Sequence, residues 1–171
     1  AITGGAVTNT VNDVVDFGLA AGSAGRLSAA FRVQVNDDTE FTLIDFDDKL
    51  NDSNFVYDRD NILGYELVNV LQAEFDEHFS GVDAVTVGMD AEGRITLDAA
   101  FDGTNERVTI SETEVDVAGT MTATTGAADL FGVAGTEVYR VDNNTIAGAA
   151  ATATTANDWS AVDALTAPEP F

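Results

Sequence analysis

An α+β fold is predicted: mainly antiparallel β-sheet, one principal amphipathic helix at about 62–79 packed on it, and extended low-complexity termini. Two observations predict it. Ile62, Leu63, Leu67, Val68, Val70, Leu71 and Phe75 recur mostly at steps of three and four, which puts an apolar stripe along one side of a helix. From Val85 the period drops to two: Val85, Val87 and Met89, then Ile95 and Leu97, then Val108 and Ile110 alternate with polar or small residues. That pattern describes half-buried strands with one wet face. The stripe of the helix is expected to cover their dry face.

In chain order, residues 1–25 are rich in Gly, Ala, Thr and Asn, with an apolar patch at Val14, Val15, Phe17 and Leu19. They read as an N-terminal arm, extended or partly ordered. Residues 26–142 form the α+β module. Phe31, Val33 and Val35 alternate with Arg32 and Gln34, Asn36-Asp37-Asp38-Thr39 makes a turn, and Phe41, Leu43 and Phe46 return. This is a β-hairpin. Asp60 or Asn61 is placed to cap the helix that follows, and Gly81 to stop it. Asp90-Ala-Glu-Gly93 and Asp102-Gly-Thr-Asn105 are turns, with Gly93 able to take positive φ. Val115 and Val117 extend a strand, and Thr125–Gly132 forms a helical turn ended by Gly132. A last strand is expected at Val138, Tyr139 and Val141. Residues 143–171 are an Ala/Thr-rich C-terminal arm carrying Trp159; arms of this composition gain order by adding to a neighbour.

Composition narrows the function. The chain has 171 residues, 30 acids against 7 bases and a net charge of −23. No basic patch of the kind nucleic acid or an anionic membrane requires can be assembled from so few bases. With no cysteine, neither a disulfide framework nor a thiolate metal site is available. No run approaches the roughly 18 apolar residues of a membrane span, and the first residues offer no basic and apolar signal-peptide pattern.

Residues 45–60 are dense in acids. Asp45, Asp47, Asp48 and Asp52 are the candidate ligands of a cation, with calcium the ion such oxygens would suit. The spacing departs from an EF-hand: with Asp58 in first place, Ile62 stands where an oxygen ligand belongs. The alternative is a solvated acidic loop. Catalytic signatures are thin. His78 is the single histidine, placed near a helix end where it would meet the last carbonyls. Neither a nucleophile elbow nor a phosphate loop occurs. Asp76 with Asp90 is the carboxylate pair a glycosidase reading would use. No cofactor is expected, and the chain reads as a non-enzyme. Asn51 and the Asn143-Asn144-Thr145 run lie near or at glycosylation patterns.

Phe41-Thr-Leu-Ile44, Ile62 to Phe79, the link Gly81-Val-Asp-Ala84, Gly93-Arg-Ile-Thr-Leu97 and Arg107-Val-Thr-Ile-Ser111 together resemble the repeat found in the outer domains of bacterial flagellins and related hook and cap proteins. The short Ala127-Ala-Asp-Leu-Phe-Gly132 is similar to a turn that often follows. Similar modules occur in phage tail proteins. Here the helix begins later than in that repeat, behind the acidic loop, and the heptad-rich terminal helices of flagellins are not seen. The resemblance implies a structural subunit or outer domain of an extracellular filament, acting by self-assembly or surface display, with copies of itself or neighbouring filament subunits as partners. The alternatives are a virion structural protein, such as a tail or decoration subunit, or a secreted acidic, cation-binding adhesive module.

Overall fold

A computed structural model describes residues 2–3, 13–36, 38–103 and 106–132. The expected strand at 138–141, the C-terminal arm, Asn143 and Asn144 lie outside the described residues.

The chain is α+β. Its elements are β1 (Ile2–Thr3), α1 (Ser23–Ser28), β2 (Ala30–Val35), β3 (Thr42–Asp45), α2 (Asp47–Leu50), α3 (Gly64–His78), β4 (Val85–Met89), β5 (Ile95–Ala99), β6 (Val108–Ser111), β7 (Glu114–Val117), β8 (Thr120–Ala123) and α4 (Gly126–Phe131). The strands form two three-stranded sheets, ordered β1-β5-β4 and β3-β2-β6, and a β7-β8 hairpin. Every pairing among them is antiparallel.

The β2-β3 hairpin forms, with Phe31 opposite Ile44, but its return strand does not follow the expected Phe41-Leu43 alternation. Ile44 is buried and Leu43 is 42% exposed, because the partner of buried Phe31 in this register is Ile44. The β4-β5 hairpin follows the second alternation, with Met89 opposite Ile95. Gly93 takes φ 76 in its turn and Gly132 takes φ 69 at the end of α4, the conformation in which an absent Cβ matters most.

The third alternating segment goes elsewhere. β6 does not extend β4-β5; it pairs with β2, Ile110 opposite Val33. All four residues of β6 are buried, so it has no wet face. Thr109 and Ser111 are polar residues on a strand that tertiary packing encloses.

α3 packs against β4 of one sheet and β3 of the other. Its buried residues include Leu67, Val70, Leu71 and Phe75. Phe31 lies at the centre of an aromatic cluster, 5.4 Å from Phe131, 6.3 Å from Phe46 and 6.3 Å from Phe75 between ring centroids. Full burial of each such ring contributes about 1.5–3 kcal/mol. One apolar cluster includes residues from both sheets, α3 and α4.

The ends of α3 differ from expectation. Its N-cap is Leu63, which has no capping side chain. Glu66 supplies the acceptor instead, taking the Leu63 amide at 2.9 Å and the Tyr57 amide at 3.0 Å. Asp58, not Asp60, does the capping nearby, accepting from the Asp60 amide of the 3₁₀ turn Arg59–Asn61. At the far end, extended Phe79 stops the helix, and Gly81 opens the next 3₁₀ turn, Gly81–Asp83.

The segment read as an N-terminal arm joins the core from residue 13 onward. Val15, Phe17 and Leu19 are buried; an extended stretch turns every second side chain to one side. The Val15 amide bonds the Ile62 carbonyl at 2.8 Å, and Gly64 donates to Asp13 at 3.0 Å. α1 and α4 pack together beside β2. Gly126 is required there, because a Cβ would stand 2.3 Å from the Ala30 carbonyl oxygen.

Candidate functional site

The acidic segment after β3 is the natural place to look for chemistry, and two of its carboxylates already face cations of the chain. Asp45 receives both terminal nitrogens of Arg26, at 2.7 and 2.8 Å. This bidentate fork is the strongest common form of carboxylate recognition. Asp47 receives Arg59 Nη2 at 2.6 Å and lies 3.9 Å from Arg26 Nε, so it bridges the two guanidinium groups. Arg59 also donates to Asn51 Oδ1 at 2.8 Å and to the Leu19 carbonyl at 3.0 Å. The network thereby ties the 13–22 segment to the loop. Burial disfavours the Arg26 charge, but the bond to Asp45 and the nearby Asp47 and Asp48 outweigh it and raise its pKa.

The four candidate cation ligands are not gathered. Asp45 and Asp47 hold Arg26 and Arg59. Asp52 accepts from the Asn54 backbone and side chain at 2.9 and 2.8 Å, which shapes a turn. Asp48 is exposed. Among the described residues, no group of three or more His, Cys, Asp or Glu side chains is placed to hold a metal ion. At Asp45 and Asp47, guanidinium groups occupy the positions where the sequence suggests a bound cation; a guanidinium is more weakly hydrated than a compact cation, so its desolvation costs less. The Asn51 amide is likewise engaged, donating to the Asp47 carbonyl at 3.0 Å.

A second charge cluster joins α2 to α3. Lys49 Nζ bonds Glu74 at 2.6 Å and Glu77 at 2.7 Å. Burial alone would lower the Lys49 pKa; the two carboxylates reverse this and raise it. His78 turns its Nε2 to Glu74 Oε1 at 3.2 Å, rather than to the last helical carbonyls. Glu74 is only 5% exposed, and the lysine and the imidazole compensate its burial.

The pair Asp76 and Asp90 is not assembled as acid and base either. Asp76 accepts from Gln72 at 2.8 Å one turn back on α3. Asp90 shapes the β4-β5 turn, accepting from the Glu92 amide at 3.0 Å, the Arg94 amide at 2.9 Å and Arg94 Nε at 2.7 Å. Burial opposes the Asp90 charge, but the Arg94 amide and guanidinium prevail and lower its pKa. A group held as its carboxylate suits turn formation, not proton donation.

Three polar groups of structural importance have little signature in the sequence. Asn36, 2% exposed, sits at φ 50. Its Nδ2 faces the Val82 carbonyl at 3.1 Å, Asp83 Oδ1 at 3.3 Å and the Ala100 carbonyl at 3.1 Å. Its Oδ1 accepts from the Arg107 amide at 3.0 Å, and its carbonyl accepts Arg107 Nη2 at 2.7 Å. This one residue joins the ends of both sheets. Gln72 donates to the Val85 carbonyl at 2.9 Å and accepts from the Val87 amide at 2.8 Å, meeting the outward edge of β4 as a further strand would. Glu112 accepts the Thr124 hydroxyl and the Ala128 amide at 2.8 Å. Burial pushes its pKa up against those bonds. Asparagine in a turn cluster is the only sequence signal for the first; the other two depend on partners the sequence does not name.

Ser28 and Thr125 both donate to Asp129 Oδ2, at 2.6 and 2.7 Å, a polar clamp between α1 and α4. No helix among the described residues is long and apolar enough to cross a membrane. Scanned against protein-family models the chain matches none, and comparison with curated proteins and with solved structures finds no match.

Proposed function

We propose that this chain is a structural subunit or outer domain of an extracellular, flagellin-like filament, acting by self-assembly or surface display and not by catalysis. The observation that carries the reading is the order β3, α3, the Gly81–Asp83 turn, the β4-β5 hairpin and β6. This is the strand-helix-hairpin-strand order on which the resemblance rests. The acidic residues support it: Asp45, Asp47, Glu74 and Asp90 each hold a base of the same chain, which is work of framework and not of turnover. Bases are the scarce component here, and their use inside the fold leaves a strongly acidic surface suited to display in solvent.

Immunogold electron microscopy of the source cells, with antibody raised against the purified chain, tests the proposal. Label along filaments outside the cell is the expected result. Label confined to the cell interior would overturn it, and label on virus particles would move the assignment to a virion structural protein.

A further inference from the structure

Among the described residues, Arg32 Nε is the one buried side-chain nitrogen or oxygen without a hydrogen-bond partner. Its guanidinium lies over the Phe41 ring, 4.5 Å from the centroid. Nη2 makes a single long contact, 3.4 Å to Ser111 Oγ, beyond the usual range for such bonds. The chain carries 30 acids, and Arg26, Lys49, Arg59 and Arg94 each hold at least one of them within 2.7 Å. Among the described residues Arg32 holds none, although carboxylates outnumber bases by more than four to one in the chain. An arginine pre-set on an aromatic face, with its donors unspent, is the form in which this residue recognises a carboxylate.

Arg32 is half-buried with Nε enclosed, so a partner meets the guanidinium from its Nη side. Arg32 stands between Leu43 and Ser111 in register across β3-β2-β6, on the side of the sheet away from Phe31 and Val33. Leu43 is 42% exposed, an apolar flank beside the cation.

We infer that the Arg32–Phe41 platform receives a carboxylate from a second copy of this chain. Local charge complementarity selects the occupant: a copy carrying −23 offers acids on its surface to this arginine, while the net repulsion between two such chains is screened by salt. Such a contact also fixes direction, because a planar fork accepts a carboxylate in few orientations. The inference deepens the assembly reading above and rests on it.

The test uses the fact that Lys49 is the only lysine. R32K, treated with carbodiimide as a mixture of isotopically light and heavy full-length chains, should give light–heavy cross-links from position 32 to an acidic peptide. Links within one copy only would overturn the inference. Sedimentation of the full chain at roughly 0.15 M salt, where the Debye length is about 8 Å, should show self-association that R32Q weakens at least about tenfold and R32K weakens less, since lysine keeps the charge without the fork. The difference between R32K and R32Q separates loss of charge from loss of fold. Equal association of R32Q and the unaltered chain would overturn the contact while leaving filament assembly standing. A chain that stays monomeric at every concentration would overturn it too, with surface display still open to the immunogold test. Cross-links without filament labelling would retain the contact and remove the filament.

Discussion

In the β1-β5-β4 sheet, the pairing of β4 with β5 closes through the turn at Asp90–Arg94, with the Asp90 amide bonding the Arg94 carbonyl at 2.9 Å. In the β3-β2-β6 sheet, β6 reaches β2 from far along the chain, and the Arg32–Ser111 contact spans 79 positions. The first pairing has its register set by a few adjacent residues. The second has it set by the core, through Val33 opposite Ile110 and Val35 opposite Val108. Their edges differ as well. Gln72 satisfies the outward groups of β4, the kind of cover that keeps an edge strand from pairing with another chain. The other sheet carries Arg32 with unspent donors. The locally specified sheet is sealed along β4 by the helix beside it, and the globally specified sheet is where the proposed contact with a second copy lies.

The largest expected effect comes from the core that the second sheet depends on. Phe31→Ala removes the ring at the centre of the aromatic cluster and should destabilise the protein by about 3–5 kcal/mol, read by urea denaturation. A loss under about 1 kcal/mol would mean that the cluster collapses around the gap and does not set the register of β6.

Asn36→Ala attacks the joint between the sheets. It strands the Arg107 amide and the Val82 and Ala100 carbonyls and leaves alanine at positive φ. A cost of about 3 kcal/mol is expected from unsatisfied buried groups at about 1–3 kcal/mol each. Hydrogen exchange should quicken at the amide of Arg107 before it does within β4-β5. Uniform quickening would show that the sheets open as one unit.

Gln72→Ala should cost about 1–2 kcal/mol for two lost hydrogen bonds. The sharper reading is local: the Val87 amide should exchange faster while the amides of β2 do not change. An unaltered Val87 amide would mean that α3 shields this edge by bulk and not through the carboxamide.

Acid should act in opposite directions on the two regions, and these are the smallest effects. The Asp90 pKa lies below its ordinary 3.8, so its contribution is present above that value and fades as pH falls through the lower, folded value. The Glu112 pKa lies above its ordinary 4.5, so its ionisation costs stability as pH rises from 4.5 through the folded value, and acidification over that window relieves the cost. NMR titration of the two carboxylates should give midpoints on opposite sides of their ordinary values. E112Q should flatten the stability slope above pH 4.5 and leave the acid limb of Asp90 in place; a slope that persists in E112Q would assign it to other groups.

How much was legible in the sequence follows the same division. Periodicity placed α3 to within two residues at its start and placed the β2-β3 and β4-β5 hairpins, because those patterns are local, although in β3 it turned Leu43 to the core where the structure buries Ile44. It marked Gly93 and Gly132 as turn and cap, since backbone handedness is a local property. The resemblance to the flagellin repeat rested on the same local patterns. The carboxylates were visible as a cluster, but their partners were not: nothing near Asp45 in the chain announces Arg26, and nothing near Asp47 announces that Arg59 folds back onto it. Asp60 looked like the helix cap because it precedes the apolar stripe, whereas Glu66, inside the helix, does that work.

The sequence by itself determined the class of fold, the main helix, the local hairpins and a strongly acidic composition, because each depends on composition or on spacings of a few residues. Only the tertiary structure decided that β6 leaves its neighbour β5 for β2, that Val15, Phe17 and Leu19 belong to the core, and that Asp45 and Asp47 of the acidic loop are paired from within by Arg26 and Arg59. Those outcomes depend on which distant surfaces can be buried together, and burial is scored over the whole chain at once.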